Sequence, residues 1–263
     1  MLNYETYIND ESKNWIVFVH GIGGSTLTWK KQIDDFSKNY NLLLLDLPGH
    51  GKSQAIDGKI GISFVNDCIK EVLDYLHINK ADFVGMSMGT LVILNFAIKY
   101  PKYVKSLVLG GAIVNVEGIY RTATKITRKI KGLLPKPITY RMLAKIIMPA
   151  KWHEKSRKIF FKESKKLCKK NFFAWIDYTT NLKKEKGLIQ KLKELNIKIF
   201  FISGDHDKCF IKGIEHLSQK LSNAEFEIIE KCGHVCTIER YREFNKKALL
   251  YLNNNNNNNP VLC

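Results

Sequence analysis

The sequence predicts an α/β protein: a mostly parallel, doubly wound sheet interrupted by a block of basic helices. Three observations lead there. Short, continuous apolar runs alternate with stretches of helical length and period through the first 114 residues, and the pattern resumes after residue 190. Between them, strand-like runs stop and helical spacing takes over. Glycine-rich clusters stand at the ends of several of the apolar runs.

In chain order, LNYETY offers one short strand near the N-terminus. WIVFV (15–19), NLLLLDL (41–47), ADFVG (81–85) and VKSLVLGGA (104–112) are apolar without alternation. Such runs suit strands covered on both faces, as in a parallel sheet with helical crossovers. SFVNDCIKEVLDYL (63–76) has the length and period of one such crossover helix. The pattern returns with IKIFFISG (197–204) and AEFEIIE (224–230), followed by a closing helix from Glu239 to Leu252. From Asn115 to about Gln190, RTATKITRKIKGLL, ITYRMLAKIIM and the run from Glu154 to Leu182 read as amphipathic helices with basic outer faces. Ile126, Ile130 and Leu133 recur at helical spacing there, as do Met142 and Ile146. The division is therefore a core of residues 1–114 and 191–252, a helical insertion of 115–190, and a tail of 253–263. That tail, NNNNNNN then PVLC, has no apolar period and is expected to be disordered.

At 263 residues and 45% hydrophobic, the chain can bury a sizeable core and reads as one domain with an insertion. The segment MLNYETYINDESKNW has neither a basic n-region nor an apolar h-region, so no signal peptide is expected. No run reaches the roughly 18 uncharged apolar residues of a membrane span. The six cysteines (Cys68, Cys168, Cys209, Cys232, Cys236, Cys263) do not make a disulfide scaffold in a chain this long. A reduced, cytoplasmic protein is expected, free or peripheral to a membrane.

The net charge of +17 is informative once located: residues 115–190 hold 20 Lys plus Arg against 5 Asp plus Glu, and the remainder 22 against 20. A compositional bias toward lysine would have spread the charge evenly, and it is not spread.

Gly85-Met86-Ser87-Met88-Gly89 fits G-x-S-x-G between an apolar run and a helical stretch. On these residues alone, Ser87 is either a nucleophile on a tight turn or an idle serine in a buried glycine-rich crossover. HGIGGS (20–25) ends a strand in a loop able to aim backbone N–H groups at a developing oxyanion, or serves as a plain strand-ending turn. DLPGHGKS (46–53) reads as a shaped loop, with His20 and His50 as loop-shaping residues. Its Lys52-Ser53 lacks the spacing of a phosphate-binding loop.

With HGIGGS, DLPGHGKS, GMSMG (85–89), GDHD (204–207) and GH (233–234) in this order, each at a predicted strand end, the chain resembles the α/β-hydrolase superfamily over nearly its whole length. The resemblance implies Ser87 as nucleophile, His234 as general base and Asp207 as the acid, with Asp205 in the same loop as the alternative. It implies the backbone N–H groups of Ile22 and Met88 as oxyanion donors, and the insertion as the family's cap or lid. A serine at the elbow sets the chain apart from family members that use aspartate there. One short strand before WIVFV implies that the family's first strand is missing. The expected activity is hydrolysis of carboxylic esters or thioesters with an apolar acyl chain through an acyl-enzyme on Ser87. C–C bond hydrolysis, acyl transfer and non-catalytic ligand binding on the same fold stay open.

His206, Cys209, Cys232, His234 and Cys236 gather in two loops near that site, but without the Cys-x-x-Cys spacing of structural zinc. They read as ordinary side chains whose thiols would make the protein sensitive to oxidants, and neither a metal nor a cofactor is expected. The basic insertion, interleaved with Phe160, Phe161, Phe172, Phe173, Trp175 and Tyr178, suits an acyl pocket. Its charge is a solvated face, a dock for an acidic acyl carrier protein, a contact with anionic membrane, or a counter-ion set for a small anionic substrate. No nucleic-acid motif accompanies the charge, so no nucleic acid is expected. Oligomeric state stays open.

Overall fold

The structure, a computed structural model, describes residues 1–57, 60–114, 122, 126, 135–165, 167, 169–180 and 187–257. Its strands are β1 (Tyr4–Tyr7), β2 (Trp15–Val19), β3 (Asn41–Leu45), β4 (Ala81–Met86), β5 (Val104–Gly110), β6 (Lys198–Gly204) and β7 (Ala224–Ile229). They form one sheet in the order β1-β3-β2-β4-β5-β6-β7. β1 runs antiparallel to β3, with Tyr4 opposite Leu45. Every other pairing is parallel. The apolar runs named above are therefore strands because both faces need covering: all residues of β3 and β4 are buried. β7, at the edge, instead alternates between half-buried and exposed positions over most of its length.

The helices are α1 (Lys30–Phe36), α2 (Ile62–Tyr75), α3 (Met88–Lys99), α4 (Lys136–Ile147), α5 (Glu154–Ser164), α6 (Lys169–Thr180), α7 (Leu188–Glu194), α8 (Ile211–Ser218), α9 (Cys236–Glu239) and α10 (Tyr241–Asn257). α2 buries one face (Val65, Ile69, Val72, Leu73), as its period predicts, and packs against α3. α3 is apolar nearly all round and correspondingly buried, which places its N-terminus deep in the molecule at the end of β4.

Helices α4, α5 and α6 lie in the chain between β5 and β6 and carry a small core of their own, built from Tyr140, Leu143, Leu167, Phe172, Phe173 and Ile176. They are tied to loops at the C-terminal ends of the strands. Trp175 Nε1–H donates to the Pro48 carbonyl at 3.1 Å, and Asn171 Nδ2–H donates to that of Ile56 at 2.7 Å. The helix expected over Arg121–Leu134 lies outside the described residues except for Thr122 and Ile126, as do the last residues of the run expected to reach Leu182.

The first part of the asparagine run, Asn253 to Asn257, departs from its expected disorder. α10 continues through Asn257, and its asparagines are anchored by side chains of the core. Tyr40 Oη–H donates to Asn253 at 2.6 Å and accepts from Asn256 at 2.8 Å, while Lys198 donates to Asn255 at 2.8 Å. Asparagine has modest helix propensity, and these tertiary contacts override it. Residues 258–263 lie outside the described set.

Candidate active site

Ser87 sits between β4 and α3 with φ +54° and ψ −119°, in the left-handed region that non-glycine residues rarely adopt. Such a position costs about 1–3 kcal/mol and persists only when its surroundings hold it. The holding contacts are specific. Ser87 N–H donates to Gly110 O at 2.9 Å, and the Ser87 carbonyl accepts from Thr90 N–H at 2.9 Å and from the Thr90 hydroxyl at 2.6 Å. Gly89 completes the turn, because a side chain there would collide with the Val19 carbonyl where α3 meets β2. Both glycine-flanked halves of GMSMG thus serve to stand one hydroxyl at the head of a helix.

The 20–25 loop lies directly against that hydroxyl. A Cβ on Gly21 would sit 3.1 Å from Ser87 Cβ and 3.7 Å from Ser87 Oγ, so the Ile22 amide follows immediately from a residue touching Ser87. Met88 opens α3, and its N–H has no carbonyl one turn earlier within the helix. Two histidines and an aspartate hold this loop against its neighbour. His20 Nε2 accepts from Leu47 N–H and His50 Nε2 accepts from Gly23 N–H, both at 3.0 Å. Burial, with His20 beside it, drives the His50 pKa well below its ordinary value, which keeps Nε2 free to accept. Buried Asp46 accepts from Thr26 N–H at 2.8 Å and Lys52 N–H at 2.9 Å, joining the two loops. The loop-shaping roles expected of His20 and His50 are the ones they fill.

Asp207 and His234 arrive from the loops after β6 and β7. His234 Nδ1–H donates to Asp207 Oδ2 at 2.9 Å, and Ser87 Oγ–H donates to His234 Nε2 at 2.8 Å. A carboxylate only accepts, so it fixes the proton on Nδ1 and leaves Nε2 as the acceptor. All three side chains are buried, Asp207 and His234 to 1% exposure and Ser87 to 9%. Ser203 donates a further bond to Asp207 Oδ2 at 3.2 Å. Asp205 points elsewhere: its Oδ1 accepts from Cys232 N–H at 3.0 Å and lies 2.6 Å from His206 Nδ1. Burial pushes its carboxyl up, and the Cys232 amide and His206 outweigh that, holding it below the ordinary carboxylate value. Asp205 therefore braces the loop preceding His234, and Asp207 is the carboxylate at the imidazole.

The neighbouring thiols do not form a reactive set. Cys232 and Cys236 are buried, and burial drives both thiols far up from their ordinary pKa. Cys209 is pushed up to about 11, again by burial first and then by Asp207. A thiol held protonated in this way is a weak nucleophile. Among the described residues, no group of three or more His, Cys, Asp or Glu side chains could hold a metal ion.

Two residues near the imidazole carried no sequence signal. Glu239, in α9, accepts from Gly233 N–H at 2.7 Å and from Val235 N–H at 3.4 Å, the two amides flanking His234. His153, fully buried between α4 and α5, places Nε2 3.3 Å from the same carboxylate without hydrogen-bond alignment, and its Nδ1 accepts from Ala150 N–H at 3.2 Å. No spacing rule links residue 153 to 239; only the fold does.

The cleft over Ser87 is narrow, about 20 Å³, with Gly21, Met86, His234 and Ile238 among its walls. Beside it, sharing Thr28 and Ile238, opens a groove of about 1050 Å³. Among the described residues, no helix is long and apolar enough to cross a membrane.

Comparison with known proteins agrees with this architecture. A family model described as alpha/beta hydrolase fold matches residues 14–241. A 2-hydroxy-6-oxononadienedioate/2-hydroxy-6-oxononatrienedioate hydrolase of Paraburkholderia phymatum is 29% identical, over 91% of this chain and 87% of its own. A monoacylglycerol lipase of Bos taurus is 25% identical, over 90% of this chain and 74% of its own. Among solved structures, an esterase from Exiguobacterium antarcticum superposes with a TM-score of 0.84 at 17% identity, covering 96% of this chain and 95% of that one, a likeness of fold.

Proposed function

The chain belongs to the α/β-hydrolase fold family, and on that premise we propose that it is a serine hydrolase cleaving carboxylic esters or thioesters with an apolar acyl chain. The observation that carries the reading is the continuous hydrogen-bonded line from Ser87 Oγ through His234 to Asp207, at 2.8 and 2.9 Å.

A serine hydroxyl is a weak nucleophile at neutral pH, so attack needs its proton removed as the bond to carbon forms. His234 Nε2 takes that proton, and Asp207 stabilises the resulting imidazolium. The tetrahedral oxyanion falls between the Ile22 and Met88 amides, each such donor being worth about 3–4 kcal/mol of barrier. His234 then returns the proton to the departing alkoxide or thiolate. Water, deprotonated by the same imidazole, attacks the acyl-Ser87 ester and releases the acid. The helices over the strand ends act as the lid, and their basic charge suits a substrate delivered by an acidic carrier or an anionic surface.

Replacement of Ser87 by Ala should abolish p-nitrophenyl ester hydrolysis and fluorophosphonate labelling without changing the circular dichroism spectrum. Retained turnover in that variant would refute the assignment, and wild-type protein that resists labelling would place the chain among ligand binders on this fold. A second reading, hydrolysis of a C–C bond beside a ketone, is favoured by the likeness to the oxononadienedioate hydrolase over 91% of the chain. Turnover of an oxo-dienoate in preference to every ester tested would select it.

A further inference from the structure

The groove beside the Ser87 cleft has a chemical character of its own. Lys30, Lys31, Lys155, Lys231 and Arg240 stand around it. Among the described residues, its one carboxylate, Glu239, is engaged by the Gly233 and Val235 amides. His206, also on its wall, is paired with Asp205. Of the carboxylates near the cations, Glu154 is bound by Lys158 at 2.7 Å, and Glu243 pairs with Arg240 itself at 4.0 Å. Among the described residues, Lys30, Lys155 and Lys231 make no ion pair.

Lys231 reaches this position from a backbone with φ +50°, where glycine or asparagine would be the unstrained choice. The Cys232 amide just beyond it is pinned to Asp205, so the turn presenting the lysine is built and held. The rest of the groove's lining is largely apolar. Leu27, Trp152 and Ile159 are 39%, 60% and 36% exposed there, together with Ile238 and Tyr241. Large side chains left this open to water, gathered in one concavity and rimmed by unpaired cations, mark a site for something partly greasy and negatively charged.

We propose that this groove binds an anionic amphiphile. Its single apolar chain lies along Leu27, Trp152, Ile159 and Ile238, and its carboxylate or phosphate head is held by Lys30, Lys155 and Lys231. Because Thr28 and Ile238 also line the cleft over Ser87, the groove adjoins that cleft, and the amphiphile is a substrate or product of the hydrolysis. That last step rests on the serine-hydrolase reading; the binding itself does not.

The test is calorimetric titration of the full chain, wild type and Ser87→Ala, with octanoate, octyl phosphate and octyl glucoside below their micelle concentrations. Both anions should bind the two proteins more tightly than the neutral glucoside, and binding should weaken as salt rises to about 0.5 M. Whichever of octanoate and octyl phosphate binds better identifies the head group. A Lys30→Gln, Lys155→Gln, Lys231→Gln triple variant with an unchanged melting temperature should lose roughly 10-fold in anion affinity, while glucoside binding stays within about two-fold. Ile159→Asp, on the apolar floor, should weaken all three ligands. Equal binding of the glucoside and the anions, or undiminished anion binding by the triple variant, overturns the proposal. The hydrolase reading fails separately: phosphonate labelling would be absent while anion binding remained.

Discussion

Exchanging Asp207 for Asn keeps the shape of a buried side chain but removes the charge facing His234, and an amide nitrogen in the place of Oδ2 no longer accepts from Ser203. The amide that replaces one oxygen donates toward Nδ1, which pushes the imidazole proton onto Nε2. Nε2–H then points at Ser87 Oγ and can no longer accept its proton. The imidazolium formed during attack also loses its counter-ion. At the observed 2.9 Å separation, with the effective dielectric near 20 that fits protein sites, that attraction is about 5–6 kcal/mol. A barrier raised by this much slows turnover by about four powers of ten. Asp205→Asn is the matched comparison, since it is half-exposed, two residues away and bonded to Cys232 N–H and His206. It should cost about ten-fold or less, through looser bracing of the loop before His234. Steady-state kcat on p-nitrophenyl acetate, with melting temperatures to confirm folding, decides the matter. Asp207→Asn retaining turnover within about ten-fold, or the two variants losing equally, would remove Asp207 from the role of acid.

Glu239→Gln removes the charge from the bonds to the amides flanking His234, and charge-assisted bonds of this kind are worth about 1.5–3 kcal/mol. kcat should fall with KM unchanged, and the melting temperature should drop by roughly 3–10 °C in a scan. Asp82, buried on β4 with one oxygen bonded to Ser106 and the other unpaired, is pushed up to about 6 by burial. Its protonated form is the one the fold favours, so stability is fullest below the unfolded-state value and declines as pH rises through about 6. Between pH 4.5 and 7.5, wild type should lose about 2 kcal/mol relative to Asp82→Asn in urea titrations, and parallel curves would refute this. His50 behaves oppositely: its pKa is depressed, so the neutral form is favoured and stability falls by about 1.4 kcal/mol per pH unit once pH drops below about 6.5. A His50→Gln variant should show a correspondingly shallower acid limb in the same titrations.

The sheet was legible because its strands are buried on both faces, so LLLL in β3 and ADFVGM in β4 show as unbroken apolar runs. The site was legible where chemistry forces a local pattern: a serine at positive φ needs small neighbours, and GMSMG supplies them. Legibility ended where partners come from distant parts of the chain. Asp205 and Asp207 share one loop and one residue type, and only the turn after β6 decides which carboxylate meets the imidazole. Glu239 and His153 have no motif, because Glu239 binds the two amides flanking His234 while His153 meets Glu239 and the Ala150 amide, contacts that only the fold creates. Asn253 to Asn257 misled for the same reason, since Tyr40 and Lys198 hold them in a helix from elsewhere in the sequence.

The glycines of the strand-end loops acquire a second meaning from the fold. Read along the chain, Gly23, Gly49 and Gly233 belong to three motifs and suggest loop flexibility or room for an oxyanion. In space, each is where a side chain of the inserted helices lands. Tyr140 Oη occupies the Cβ position of Gly23, Asn171 that of Gly49, and His153 Nε2 that of Gly233. The first of these loops carries the Ile22 amide, the second holds the first through His50, and the third carries His234. The inserted helices therefore grip the machinery around Ser87 at points where any side chain on the core would push them away. A displacement of those helices would be felt at the 20–25 loop and at the imidazole together.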